Sequence, residues 1–300
     1  MIIVKGLHKK FKGFHALKGV DMQVRRGEIY GFIGHNGAGK STTMNILAGL
    51  SRPDQGECIV DGRDVTRIKH PGDLRIGYLP EDPRFYSWMT AYEMLKYLGG
   101  DIKRERIAEL QDWVGLTNAA HRRVGGFSRG MKQRLGIAAA LIRDPALLIL
   151  DEPSSALDPE GRSDVLRLIT EMKQMGKTVL FSTHILNDVE RVCDTVGMIA
   201  NGGMVMEKPL EQLQRDNIRP VFEITLAEPG DPDLITKLRG LDVVKEAAFA
   251  GTKFMVVTAD ETESSKSLLR FFADNGIAVR ALTLRKNDLE ALFIQEGKPL

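Results

Sequence analysis

The sequence predicts an α/β fold: a parallel-stranded core carrying an antiparallel β subdomain and a helical subdomain, with a small α+β domain after it. Three features carry that expectation. The stretch GHNGAGKST follows a short apolar run and precedes a helical pattern, the strand–loop–helix order that cradles phosphates. ALLILDEP is an unbroken apolar run ending in two acids, as suits a central parallel strand covered on both faces. Beyond residue 216 the pattern becomes strand, helix, hairpin, helix, strand, a βαββαβ order of ferredoxin-like type.

Taken in order, MIIVKGL, HALKGVDMQV and GEIYGFIG alternate short apolar runs with turns. They predict a small antiparallel sheet feeding a buried strand, Ile29 to Ile33. The helix TTMNILAGL stops at Ser51-Arg52-Pro53. A turn-rich hairpin containing GECIVDG and a strand, IGYLP, come next. From about Pro83 to Asp144 the pattern is predominantly helical, with breaks at Gly99-Gly100, Gly115 and Gly125-Gly126. After ALLILDEP, the helix Asp158 to Met175 and the strand TVLFSTH form another strand–helix–strand unit. VGMIANGGMVM reads as two strands joined by an Asn-Gly turn. The composition shifts near Arg215 to Pro220, which sets domains at 1–216 and 217–300, with a short helix, NDLEALFIQEG, near the end.

Composition narrows the function. The 300 residues are 43% hydrophobic and 27% charged, with a formal net charge of +2. That balance gives no basis for a nucleic-acid or acidic-membrane partner. The apolar run at the N-terminus is too short for a signal h-region, and its basic residues follow it. No stretch reaches the ~18 apolar residues of a spanning helix, so a cytoplasmic chain is expected. Cys58 and Cys193 sit in apolar surroundings without metal-type neighbours and read as buried free thiols in a reducing compartment.

The chemistry concentrates in two stretches. Gly34-His35-Asn36-Gly37-Ala38-Gly39-Lys40-Ser41 fits G-x-x-x-x-G-K-[ST]. Its glycines let backbone N–H groups point at phosphate oxygens, and the helix that follows adds its positive end. Lys40 would bridge β- and γ-phosphates and Ser41 would offer a hydroxyl to Mg²⁺, with Thr42 next to it at the helix start. At the end of LLIL, Asp151 can hold the magnesium directly or through its water, and Glu152 can polarise a water for in-line attack.

GHNGAGKST, FSRGMKQRL, LLILDEPSSALDP and FSTH, in that order, resemble the ATP-binding subunit of an ABC transporter over residues 1 to 215. Each motif alone is common; the ordered set is not. The resemblance implies a P-loop NTPase core of the ABC ATPase type, with ATP and Mg²⁺ as its nucleotide and cofactor. It implies that Phe11 stacks on adenine and that Ser128 and the Gly130 N–H contact a γ-phosphate. Arg129 and Met131 stand where glycine and glutamine are usual. SSALD, ending at Asp158, corresponds to the loop that crosses the dimer interface, and His184 to the histidine that senses the γ-phosphate. Glu81 in GYLPED replaces the usual glutamine, adding a hard oxygen and a negative charge beside the phosphate.

In this family the phosphate loop of one subunit faces the signature helix of another, so FSRGM is expected to complete a second copy's site. The implied function is an ATPase subunit that powers a separately encoded membrane permease from the cytoplasmic face. Residues Pro83 to Tyr97, with Tyr86 and Trp88, are the expected permease contact. The SRGM signature, Glu81, the C-terminal domain and TLRKNDLEALFIQ resemble multidrug, sodium or lipid exporters of the ABC-2 type. A soluble ABC-type ATPase acting on nucleic acid or ribosomes is the alternative. Two cassettes in one chain or a long coiled-coil insertion would mark it, and this sequence has neither.

Overall fold

The computed structural model describes residues 1–155, 157–216, 220–228 and 233–285. The chain divides into two compact units, Met1–Leu210 and a second that starts at Glu211.

In the first unit, β1 (Ile2–Phe11) and β2 (Phe14–Val24) pair antiparallel and alternate buried with exposed residues along much of their length. Lys12 and Gly13 between them both have positive φ, 43° and 88°, which matches the strand twist as a type I′ turn does. β3 (Ile29–Ile33), buried at every residue, leads into α1 (Lys40–Leu47). β4 (Gln55–Val60) and β5 (Arg63–Asp64) extend the first sheet in the order β2-β1-β4-β5. β6 (Ile76–Leu79) belongs to a second sheet.

Helix begins later than the composition of residues 83–144 predicts. The first helix, α2 (Ala91–Gly99), starts at a capping box in which the Thr90 hydroxyl accepts from the Glu93 N–H and the Glu93 carboxylate accepts from the Thr90 N–H. Before it, the carbonyls of Ser87 and Met89 accept from the N–H groups of Gly125 and Val124, 3.0 and 2.9 Å away, and Thr90 bridges to Arg123. Residues 87–90 thus pair with a distant segment, and Pro80 and Pro83 before them remove two donors that a helix would use. α3 (Arg104–Trp113) and α4 (Arg129–Leu141) complete the helical layer.

The remaining strand–helix units build the large sheet. β7 (Leu147–Leu150) and β8 (Thr178–Thr183) are buried throughout, as strands covered on both faces must be. Between them α5 (Pro159–Gln174) buries Val165, Leu168, Ile169 and Met172, an i, i+3, i+4, i+7 stripe. α6 (Leu186–Val192) leads to β9 (Thr195–Ala200) and β10 (Gly203–Pro209), joined through Asn201 and Gly202 at φ 51° and 83°. The order is β10-β9-β3-β8-β7-β6, with only β10 antiparallel. The phosphate-loop strand β3 and the acid-bearing strand β7 are therefore separated by β8 alone.

At the boundary of the units lies α7 (Leu210–Asp216). The second unit contains β11 (Val221–Leu226), α8 (Asp233–Arg239), β12 (Val244–Ala250), β13 (Lys253–Thr258), α9 (Thr262–Asp274) and β14 (Val279–Arg285). Its sheet is antiparallel in the order β12-β13-β11-β14. Phe222, Ile224, Phe254, Val256, Leu268 and Phe272 form its core. The helix expected over NDLEALFIQEG lies outside the described residues.

One close approach ties α4 to the sheet. A Cβ on Gly77, in β6, would run into the Ala140 carbonyl oxygen of α4. The obstacle is helix backbone, so it cannot rotate away. Gly77→Ala is expected to destabilise the first unit by about 1–3 kcal/mol, read as a lower urea midpoint at an unchanged slope.

Candidate active site

The loop between β3 and α1 is shaped by glycine. Gly37 and Gly39 have φ of 83° and 115°, and a Cβ on Gly34 would lie 2.5 Å from the Ile199 carbonyl oxygen. The loop is fastened below by Ala38, whose N–H donates to the His35 carbonyl (3.1 Å) and whose carbonyl accepts from the Gly202 N–H (3.0 Å). Lys40, the first residue of α1, is only 5% exposed. Its ammonium donates to the carbonyls of Gly34 (2.7 Å) and His35 (3.3 Å) and sits 3.1 Å from Glu152 Oε1.

The end of β7 supplies the acids, and β8 holds them. The Ser182 hydroxyl donates to Asp151 Oδ1 (2.6 Å) and accepts from the Glu152 N–H (2.9 Å). One side chain of β8 thus fixes both acids at once. Glu152 is 5% exposed and has φ of 46°, left-handed backbone that costs a non-glycine residue on the order of 1–3 kcal/mol. Its second carboxylate oxygen, Oε2, lies 2.9 Å from His184 Nδ1. Glu152 is thereby gripped from three sides, by Lys40, Ser182 and His184. Burial pushes the Asp151 carboxyl above its usual range, against the hydrogen bonds from Ser182 and Ser41 that act to lower it.

Phe11, Asn36, Gly37, Gly39, Lys40, Ser41, Thr42, Glu81, Glu152 and His184 line one cleft of about 460 Å³. Phe14 and Ala16 line it as well. Asp151 lies buried beneath, within hydrogen-bonding reach of Ser41. Ser128, Arg129, Gly130 and Asp158 line a different cleft, of about 480 Å³. Ser128 caps α4, its hydroxyl accepting from the Met131 N–H at 3.2 Å. Asp158 caps α5 in the same way, accepting from the Gly161 N–H at 3.0 Å. Ala156 of the SSALD stretch lies outside the described residues.

Phe14 and Ser182 were not singled out from sequence. The signal for Phe14 was the Lys12-Gly13 turn, which sets it opposite Phe11 in register. Ser182 stands within FSTH, two residues before the histidine.

The residues present fit a magnesium–triphosphate. The glycine loop leaves room for anionic oxygens against backbone, and the Ser41 hydroxyl and Asp151 carboxylate are hard oxygen donors on one side of it. No group of three or more His, Cys, Asp or Glu side chains among the described residues could hold a metal. That donor set suits a partly hydrated Mg²⁺ that takes its other ligands from phosphate, better than an all-protein cage.

Residues 17–155 match the ABC transporter family. The uncharacterized ABC transporter ATP-binding protein YxlF of Bacillus subtilis (strain 168) is 38% identical over 302 residues, covering 98% of this chain and 99% of that protein. The chain belongs to the ABC transporter ATP-binding family. The bacitracin transport ATP-binding protein BcrA of Bacillus licheniformis is 34% identical across 96% of this chain and 94% of its own length. A solved ABC cassette, a dimeric post-hydrolysis state bound to ADP and phosphate, superposes with a TM-score of 0.65 at 26% identity, covering 70% of this chain and 99% of that one. This ABC subunit is an ATPase that uses ATP with Mg²⁺ and powers a membrane permease. Among the described residues no helix is long and apolar enough to cross a membrane.

The raised Asp151 pKa has a definite sign. The fold favours the protonated carboxyl, so the ionised form at neutral pH opposes folding when no cation offsets it. Stability from this group is present below the usual carboxylate pKa and falls as pH rises through the raised one. Asp151→Asn should therefore raise the melting temperature at pH 7 in EDTA and remove the loss of stability that accompanies rising pH through the Asp151 titration. A melting temperature at or below wild type would contradict this.

Proposed function

We propose that this subunit drives export as a head-to-tail dimer in which each ATP is held by residues of two copies. The observation that carries this reading is the division of the family's motifs between two clefts. The phosphate loop, Glu152 and His184 line one, while Ser128, Arg129, Gly130 and Asp158 line the other. A second copy turned head to tail would bring each cleft against its complement, a symmetric solution with two equal sites.

Within a composite site, Phe11 stacks on adenine and Phe14 extends its apolar surface. Residues Gly34 to Thr42 wrap the phosphates through backbone N–H groups. Lys40 leaves the loop carbonyls and Glu152 for the β- and γ-phosphates, which releases one side of the Glu152 carboxylate. Glu152 then takes the proton of the attacking water, and His184 orients that carboxylate and contacts the γ-phosphate. Ser41, Asp151 and Glu81 would hold the magnesium, which would neutralise phosphate charge. From the second copy, Ser128 and the Gly130 N–H approach the γ-phosphate beside Arg129, and Asp158 holds the helix start next to them.

Residues 1–216 form the ATP-binding domain, with 83–144 as its helical subdomain, and residues 217–300 an accessory domain. The strand order β12-β13-β11-β14 with two intervening helices supports a ferredoxin-like assignment for the latter. Likeness over nearly the whole chain to a protein named for bacitracin transport supports an exporter. The subunit would sit on the cytoplasmic face through its permease. Tyr86, Trp88 and Tyr97 are 44%, 65% and 59% exposed, and their rings cluster, Tyr86 lying 4.8 Å from Trp88 and 6.0 Å from Tyr97. Such an exposed aromatic group supports a protein contact, here with the permease.

Two experiments test these readings. Ser128→Arg and Lys40→Ala homodimers should both be inactive. Mixed in equal amounts, they should recover about a quarter of wild-type ATPase, because half the dimers are mixed and each holds one intact site. No recovery on mixing, with chain exchange verified, would contradict the composite site. Tyr86→Ala combined with Trp88→Ala should lower recovery of the subunit with its co-expressed permease at least several-fold while sparing its melting temperature. Unchanged co-purification would remove the assigned contact.

A further inference from the structure

Asp188 is a carboxylate that the chemistry above does not use, and it is fully buried. Burying a carboxylate is costly unless it is paired and hydrogen-bonded, and an apolar side chain of similar volume often packs as well or better. A reason for its charge is therefore to be sought in what it holds. Its Oδ2 accepts from the Ser154 hydroxyl at 2.7 Å, and its Oδ1 from Arg162 Nε at 2.6 Å.

These partners lie on two segments that the active site needs in register. Ser154, only 2% exposed, is two residues past Glu152 in the turn closed by the Ser155 N–H donating to the Glu152 carbonyl at 3.1 Å. Arg162 is in the first turn of α5, next to Asp158, Glu160 and Gly161 of the second cleft. Asp188 itself sits in α6, which starts two residues after His184. Glu152 holds a left-handed backbone at φ 46°, a conformation that persists only where the surroundings impose it. Ser182 fixes that turn at its start, and Ser154 fixes it further along.

We infer that Asp188 is a positioning residue for the general base: through Ser154 it holds the Glu152 turn against the His184 segment, and through Arg162 it ties that turn to the helix start of the second cleft. The inference rests on the reading of Glu152 as the base. Loss of the tie leaves the phosphate loop untouched, so nucleotide binding stays while the alignment of Glu152 with the attacked phosphate degrades.

The test uses the full chain and its Mg²⁺-dependent ATPase. Ser154→Ala cuts the tie but keeps the Asp188–Arg162 pair, so the chain should stay folded at the assay temperature, with a melting temperature lower by a few degrees for the carboxylate oxygen left without its donor. Its kcat should drop on the order of ten- to a hundredfold, the scale of a small misplacement of a catalytic group. The KM for ATP should stay within about twofold of wild type, the signature of an interaction that acts on turnover. Asp188→Asn should lower kcat comparably, and the double variant should be no worse than the more affected single one, because both cut one tie. Wild-type kcat in Ser154→Ala, or additive losses in the double variant, would overturn the proposal. Should Asp188→Asn fail to fold, Ser154→Ala decides alone. Glu152→Gln separates the two readings. If it turns over like wild type, the base assignment fails and this inference with it. If it is inactive while Ser154→Ala is normal, the positioning role alone is wrong.

Discussion

A lysine ammonium buried at the mouth of a parallel sheet needs negative partners on every open side, and the active site is organised around that need. Lys40 finds them in the carbonyls of Gly34 and His35 and in the carboxylate of Glu152. Glu152 comes from β7, two strands away from β3, with β8 between. The gap is one strand wide, and the side chains that fill it come from the end of β8: Ser182 and His184. Strand order thus selects which residues can hold the acids. The crevice at the carboxyl ends of parallel strands is where α/β sheets bind ligands for the same geometric reason.

The arrangement is held against several opposing costs. An unpaired buried carboxylate or ammonium would cost several kcal/mol after relaxation. The left-handed backbone at Glu152 adds on the order of 1–3 kcal/mol. Ion pairing between Lys40 and Glu152, 3.1 Å apart and both nearly inaccessible, offsets the first cost only while both partners stay. Triphosphate supplies more negative charge than one carboxylate, so it competes effectively for Lys40. In the proposed composite site the freed carboxylate is then disposed towards a water proton. On the proposed reading, the pair is a resting arrangement whose exchange of partners couples binding to the readiness of the base.

Much of this was legible in consecutive residues. The strand, loop and first helix around GHNGAGKST, the buried run LLIL before Asp151, and the Asn-Gly turn each express a local rule, and local rules are written in adjacent letters. What was not legible depends on distance along the chain. Phe14 enters the cleft because a two-residue turn folds it opposite Phe11. Ser182 binds both acids because β8 lies beside β7. Asp188 meets Ser154 from 34 positions away along the sequence. The segment before Ala91 departed from its helical composition for a similar reason: its carbonyls are claimed by the N–H groups of Val124 and Gly125. Propensity describes what a segment does alone, and here the N–H groups of a distant 3-10 turn, Val124–Gly126, outcompeted it.

In the second cleft, the capping role that Ser128 has and the anion-binding role proposed for it are compatible. A helix start leaves four N–H groups without intrahelical partners. Ser128 takes one of them, that of Met131, through a bond of 3.2 Å. The cap fixes the orientation of the first turn of α4 and leaves the positive end of the helix facing the cleft lined by Arg129 and Gly130. A Cβ on Gly130 would meet nothing nearer than a Leu157 methyl at 3.9 Å, so the backbone there is open to close approach. A serine that merely bound an anion would leave the helix start loosely set, and a serine that merely capped would not need an open glycine beside it. Both features together fit a helix start set rigidly so that an anion arriving from outside this chain meets aligned donors at once.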